Sequence, residues 1–120
     1  MEGKEIALTA AQALFDKKAQ DIVVLDVSRL TVITDAMVIG SGRNTLQLKA
    51  LADEVEDRLA AAGARLLRKD GQQDARWIVL DYGAALVHLF HTQEREFYRL
   101  DKLWEHDGNR VPLPFDGLEP

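Results

Sequence analysis

Trp77-Ile78-Val79-Leu80-Asp81-Tyr82-Gly83-Ala84-Ala85-Leu86-Val87-His88-Leu89-Phe90 is the stretch that decides the fold. Two runs of β-branched and aliphatic residues flank a Tyr-Gly pair, the pattern of two strands, 77–81 and 84–90, joined by a tight hairpin turn. A hairpin rules out the regular alternation of strand and helix that builds an all-parallel sheet. Working outward, Ile22-Val23-Val24-Leu25 follows Gln20-Asp21 as a short buried strand. Ala36-Met37-Val38-Ile39 is a second, expected to stop at Gly40-Ser41-Gly42. Residues 65–69 read as a further short strand before a turn at Asp70-Gly71.

Helical spacing marks three other segments. Ile6, Ala10, Ala13, Leu14 and Lys17 share one side of a helix over 4–18. Leu48, Leu51, Ala52, Val55 and Leu59 form the apolar stripe of a long helix, with Asn44 and Gln47 spaced as a capping box and Gly63 as its stop. Phe97, Leu100 and Trp104 predict one closing helix over 94–104 that packs on the sheet. The order α-β-β-α-β-β-β-α predicts a single α/β (α+β) domain: a mixed sheet of about five strands flanked by helices. Pro112, Pro114, Pro120 and Asp107-Gly108-Asn109 crowd the end, so residues 1–104 are expected to form the domain and 105–120 an irregular acidic tail.

Composition bounds the partners. The chain has 120 residues, 47% hydrophobic and 29% charged, with 15 Lys and Arg against 20 Asp and Glu for a net charge of −5. Such a chain buries roughly two-thirds of its unfolded surface and needs no staple. The absence of cysteine removes thiol catalysis, disulfides and cysteine metal sites together. A protein that lives on nucleic-acid phosphates carries a basic excess; here the excess is acidic, so a neutral or basic protein surface is the expected partner. No apolar run reaches the roughly 20 residues of a membrane span, and no signal-type stretch follows Met1, so the expected location is the cytoplasm.

Candidate chemistry is thin. Gly40-Ser41-Gly42-Arg43-Asn44-Thr45 sits between a strand and a helix, where backbone N–H groups and Arg43 can cradle an anion. It lacks the Gly-Lys-Ser/Thr of a P-loop and the third glycine of the dinucleotide fingerprint, and a tight turn explains its small residues equally. Gly40-Ser41 followed by Glu54-Val55-Glu56 spells the metal site of a nucleotidyltransferase. Glu54 and Glu56 fall inside the long helix, however, where residues two apart point about 200° from one another and cannot share a magnesium ion. His88 and His91 have neither metal-ligand spacing nor a third ligand, and His88 reads as a half-buried, hydrogen-bonded strand residue. Neither Ser28 nor Ser41 lies in Gly-x-Ser-x-Gly. Trp77 has two readings, core residue or interface anchor. Arg95, Tyr98 and Arg99 share its face if the last helix packs beside the hairpin.

The strings assembled so far resemble the Iojap family, the ribosomal silencing factors S. They are Gln20-Asp21-Ile22-Val23-Val24-Leu25-Asp26-Val27, Ile33-Thr34-Asp35, Ser41-Gly42-Arg43 with Gln47, Gly71, Trp77 to Gly83, and Val87-His88. Last comes Arg95-x-x-Tyr98-x-Leu100-Asp101-x-Leu103-Trp104. They run in order from about Ile6 to Trp104. The resemblance implies a nucleotidyltransferase-like fold without catalytic acids, no cofactor or metal, and no enzymatic activity. It implies binding to the large ribosomal subunit through its ribosomal protein number fourteen, where the protein blocks joining with the small subunit and represses translation. It also implies a homodimer when free. The alternative reading is a divergent nucleotidyltransferase-like enzyme that binds a nucleoside triphosphate at 40–43. One departure is Gly83-Ala84, where the family usually reads Gly-Asp, so a carboxylate able to pair with a basic partner is missing. Another is Ala36 in place of a commoner bulky residue. The expected partner-binding residues are Trp77, Asp81, Gly83, His88, Arg95 and Tyr98, on or just beneath the docking surface. No sequence-specific nucleic-acid contact and no membrane association are expected.

Overall fold

The structure is a computed structural model that describes residues 1–118. Its elements in chain order are α1 (Gly3–Asp16), β1 (Gln20–Asp26), β2 (Ala36–Gly42), α2 (Thr45–Ala61), β3 (Arg68–Asp70), β4 (Trp77–Asp81), β5 (Ala85–His91), α3 (Thr92–Tyr98) and α4 (Leu100–Trp104). The five strands form one mixed sheet in the order β1-β2-β5-β4-β3. β2 and β5 are parallel at its centre, and the other neighbours are antiparallel. The hairpin is there, with Trp77 opposite Phe90 and Asp81 opposite Leu86.

Strand alternation sorts the side chains into two layers. Val24, Val38, Val87, Leu89, Ile78 and Leu80 face α1 and α2 and build the larger core with Leu14, Leu48, Leu51, Val55 and Leu59. Val23, Leu25, Met37, Ile39 and Phe90 point to the opposite face, where only Trp77, Leu86, Leu100 and Trp104 add partly buried cover. One face of the sheet is therefore sealed by two full helices and the other by two short ones. The asymmetry places the candidate site.

The expected stop at Gly40-Ser41-Gly42 is wrong: β2 runs through all three and pairs with β5 as far as His91. The glycines are small because the helices press on them. A Cβ on Gly40 would meet Leu14 at 3.1 Å, and one on Gly42 would crowd Leu48. α2 starts as read, with the Asn44 side chain accepting from the Gln47 N–H at 2.8 Å. The Gln47 side chain accepts from Arg43, one residue before the expected partner. Lys17, expected on the inner side of the first helix, is exposed just past its end. The third strand is shorter and later than expected, starting at Arg68.

The single closing helix is also corrected. Arg99 takes a left-handed conformation, φ 52° and ψ 46°, and splits it into α3 and α4. The kink turns Leu100 and Trp104 onto the sheet and leaves Phe97 outside, 78% exposed. A straight helix would have kept the three on one side.

Residues 105–118 are irregular, yet they belong to the same core. Asn109 and Val111 bond the backbone of Asp26 and Val24 at 2.8 Å each, closing the free edge of β1 through a bridge from Arg110 to Leu25. Leu113 and Phe115 are buried in the helix-side core, and Phe115 stacks on Phe15 with centroids 4.3 Å apart. Glu119 and Pro120, also in the expected tail, lie outside the described residues. The opposite edge, β3, is three residues long and charged (Arg68, Lys69, Asp70), which blunts it against edge pairing.

Candidate functional site

The thinly covered face carries an aromatic group built from three elements. Trp77 at the start of β4 stacks on Phe90 of β5 at 4.7 Å and meets Tyr98 of α3 at 4.9 Å. Its indole Nε1–H donates to Nδ1 of His88, two residues along β5, at 3.1 Å. Trp77 is half-buried, packed against Phe90 and Tyr98 yet not fully enclosed. Tyr98 is 52% exposed.

His88 sits beneath this surface, 8% exposed. Its sheet neighbours are Ile39 on β2 and Val79 on β4, both apolar. Burial among them pushes its pKa down to about 4, so the ring is neutral at pH 7. With Nδ1 accepting from Trp77, the ring hydrogen is on Nε2. That buried Nε2 has no hydrogen-bond partner among the described residues.

The six expected residues do not form one cluster. Trp77, His88 and Tyr98 come together around Phe90. Arg95, on α3 with Tyr98, is turned to other partners, its side chain only 12% exposed; it donates to Ser41 Oγ at 2.9 Å and lies 3.6 Å from Asp101 across the Arg99 kink. Burial lowers its pKa, which the nearby Asp101 opposes. Asp81 and Gly83 stand at the other end of β4. Asp81 shares the open face, but its carboxylate accepts from the Gly83 N–H at 2.8 Å, and Gly83 turns the hairpin with φ 78°. Sequence reasoning missed Phe90, Leu86 and Val79, which surround these residues on the same face. The i, i+2 alternation of Leu86, His88 and Phe90 was the available signal.

Ala84, where the family's carboxylate is missing, packs with the helix-side core and lines a cavity of about 400 Å³ near the start of α1. It is thus remote in kind from the aromatic face. That cavity also contains Asp26, whose carboxylate accepts from the Ser28 N–H and hydroxyl.

The residues of the phosphate and metal readings have partners within the chain. Gln20, with its amide turned so that its oxygen faces the guanidinium, accepts from Arg43 at 3.1 Å. Glu54 and Glu56 both lie on α2, as their spacing required, and pair with different cations: Arg58 at 2.7 Å for Glu54, Lys69 at 2.7 Å for Glu56. Among the described residues no group of three or more His, Asp or Glu is placed to hold a metal ion. No described helix is long and apolar enough to cross a membrane.

These features define a small α/β domain whose candidate site is a half-covered aromatic sheet face. The chain belongs to the RsfS family, described as "Ribosomal silencing factor during starvation", which matches residues 1–119. It is 38% identical over 104 residues to Ribosomal silencing factor RsfS of Bacillus subtilis, covering 87% of this chain and 88% of that protein. It is 32% identical over 94 residues to the mouse "Mitochondrial assembly of ribosomal large subunit protein 1", covering 76% of this chain and 41% of that longer protein. A crystal structure of a Chromobacterium violaceum protein superposes with a TM-score of 0.84 at 33% identity, covering 95% of this chain and 97% of the other.

Proposed function

We propose that this protein binds the large ribosomal subunit through its ribosomal protein number fourteen and, seated there, sterically blocks the small subunit, repressing translation in the cytoplasm. The observation that carries the reading is the half-open pair of Trp77 and Tyr98 packed over the buried Phe90 of the sheet. A rigid tryptophan and tyrosine that border solvent supply the anchoring area that binding hot spots use. Asp81 on the same face and the net charge of −5 favour a basic protein. The family description supports a ribosomal target, and the mouse relative's name supports the large subunit as that target.

Silencing of this kind works by occupancy, so it requires no cofactor and no chemistry from the protein. Against a nucleotidyltransferase reading stand the ion pairs that hold Glu54 and Glu56 apart on α2. Free copies pair as homodimers. Both sheet edges are closed or blunted, so pairing uses apolar surface such as the Trp77 face and competes with the ribosome.

The test is co-sedimentation with isolated large subunits, followed by crosslinking to identify the touched protein. Saturable pelleting with crosslinks from the Trp77 face to ribosomal protein number fourteen is the expected result. No pelleting at micromolar protein, or crosslinks confined to the opposite face, overturns it.

A further inference from the structure

His88 holds a hydrogen-bond donor in a place where nothing among the described residues uses it. The Nδ1 side of the ring is fixed by Trp77, and the Nε2–H on the other side has no acceptor among the described residues. A buried donor without a partner is destabilising, and native proteins keep few of them. An apolar residue of similar size would pack against Ile39 and Val79 without that penalty.

The surroundings say where an acceptor can come from. The sheet's other face is sealed by α1 and α2. On the His88 side, the cover consists of α3 and α4, neither of which has a single fully buried residue. The two are joined at Arg99, a non-glycine residue held left-handed, and exposed Tyr98, with exposed Phe97 edge-on to it, sits against Trp77. His88 is 8% exposed, so a molecule docked on Trp77 reaches it by displacing this cover.

We propose that His88 is the polar selectivity point of the docking face, its Nε2–H donating to an oxygen acceptor, a main-chain carbonyl or a side-chain oxygen, brought by the ribosomal protein that docks on Trp77 and Tyr98. The proposal rests on the docking reading above and adds the one directional contact which that reading lacks. The Trp77 hydrogen bond does two jobs in it. It holds the indole in place for apolar contact, and it fixes the imidazole tautomer so that the hydrogen is presented on Nε2. A partner with an apolar group or a cation at that point leaves the donor unsatisfied, so the site discriminates by what it fails to pair.

Two near-isosteric substitutions separate the nitrogens. In His88→Asn the amide reaches the Nδ1 position only, and its oxygen can still accept from Trp77. In His88→Gln the amide nitrogen reaches the Nε2 position and restores the donor. Parent, H88N and H88Q are titrated against isolated large subunits by co-sedimentation, with thermal unfolding and the light-scattering mass of the free proteins measured alongside. The expected result is that H88N binds on the order of tenfold more weakly while H88Q stays within about threefold of the parent. If H88N does not fold, His88→Leu takes its place, with the same expected loss. A parent that pellets and a folded H88N or H88L that pellets equally overturn the role of His88 while leaving the docking reading intact. A parent that does not pellet overturns both. A loss of dimer mass in H88N with unchanged pelleting assigns the donor to the second copy and also overturns the proposal.

Discussion

Mild acid should weaken this fold, and His88 is the reason. Its pKa falls from 6.5 to about 4 on folding because the ring is buried. The folded state therefore refuses a proton that the unfolded chain accepts throughout the interval between those values. Stability is at its full value above pH 6.5, falls as the pH drops through the interval, and loses nothing more from this group below pH 4. At about 1.4 kcal/mol per pH unit, the whole interval amounts to about 3 kcal/mol. Burial of the ring, 8% exposed, keeps solvent screening from erasing the effect. Asp16, bonded to Arg58 and Gln12, and Asp26, bonded to Ser28, are held below 3.8, so their contributions are lost mainly at the acid end of the range and below it. Urea unfolding followed by tryptophan fluorescence at a series of pH values from about 7 to 4 reads the slope. H88Q should flatten it. A parent whose stability is constant between pH 6.5 and 4, or an H88Q variant with the parent's slope, would refute the reasoning.

Other outcomes follow from the same geometry. Trp77→Ala removes contacts to Phe90 and Tyr98 and the donor to His88. It should lower folding stability by about 2–4 kcal/mol and large-subunit binding by about tenfold or more; a variant that melts and pellets like the parent defeats both assignments. Phe115→Ala should destabilise by about 3–4 kcal/mol in chemical denaturation, because the ring is buried against Phe15; an unchanged midpoint would show that the C-terminal segment adds nothing to the core. Gly71→Ala should cost roughly 1–3 kcal/mol, since Gly71 has φ 86° and a Cβ there would overlap the Trp77 carbonyl oxygen; a neutral melting temperature would contradict that backbone.

The strands were legible because β-branched runs at 22–25, 36–39 and 77–81 carry their own signal, and so was α2, whose stripe and Asn44 cap are local. What sequence hid was tertiary. Gly40 and Gly42 look like a stop, and only the closeness of Leu14 and Leu48 shows them to be strand residues made small. Nothing in Tyr98-Arg99-Leu100 announces a left-handed break, because arginine is an ordinary helix former. Residues 111–115 look like tail until Phe15 is seen to need a partner. At the candidate site, Trp77 and Tyr98 could be named from residue type, but the orphaned face of His88 depends on which side of the ring Trp77 occupies.

If the protein acts by occupying the large subunit's joining surface, subunit association itself must respond to it. Purified large and small subunits are mixed with saturating protein and their joining is followed by light scattering. Joining should be suppressed when the protein is bound to large subunits first, and suppressed less by Trp77→Ala at equal concentration. Joining at the same rate and to the same extent with and without saturating protein would contradict it.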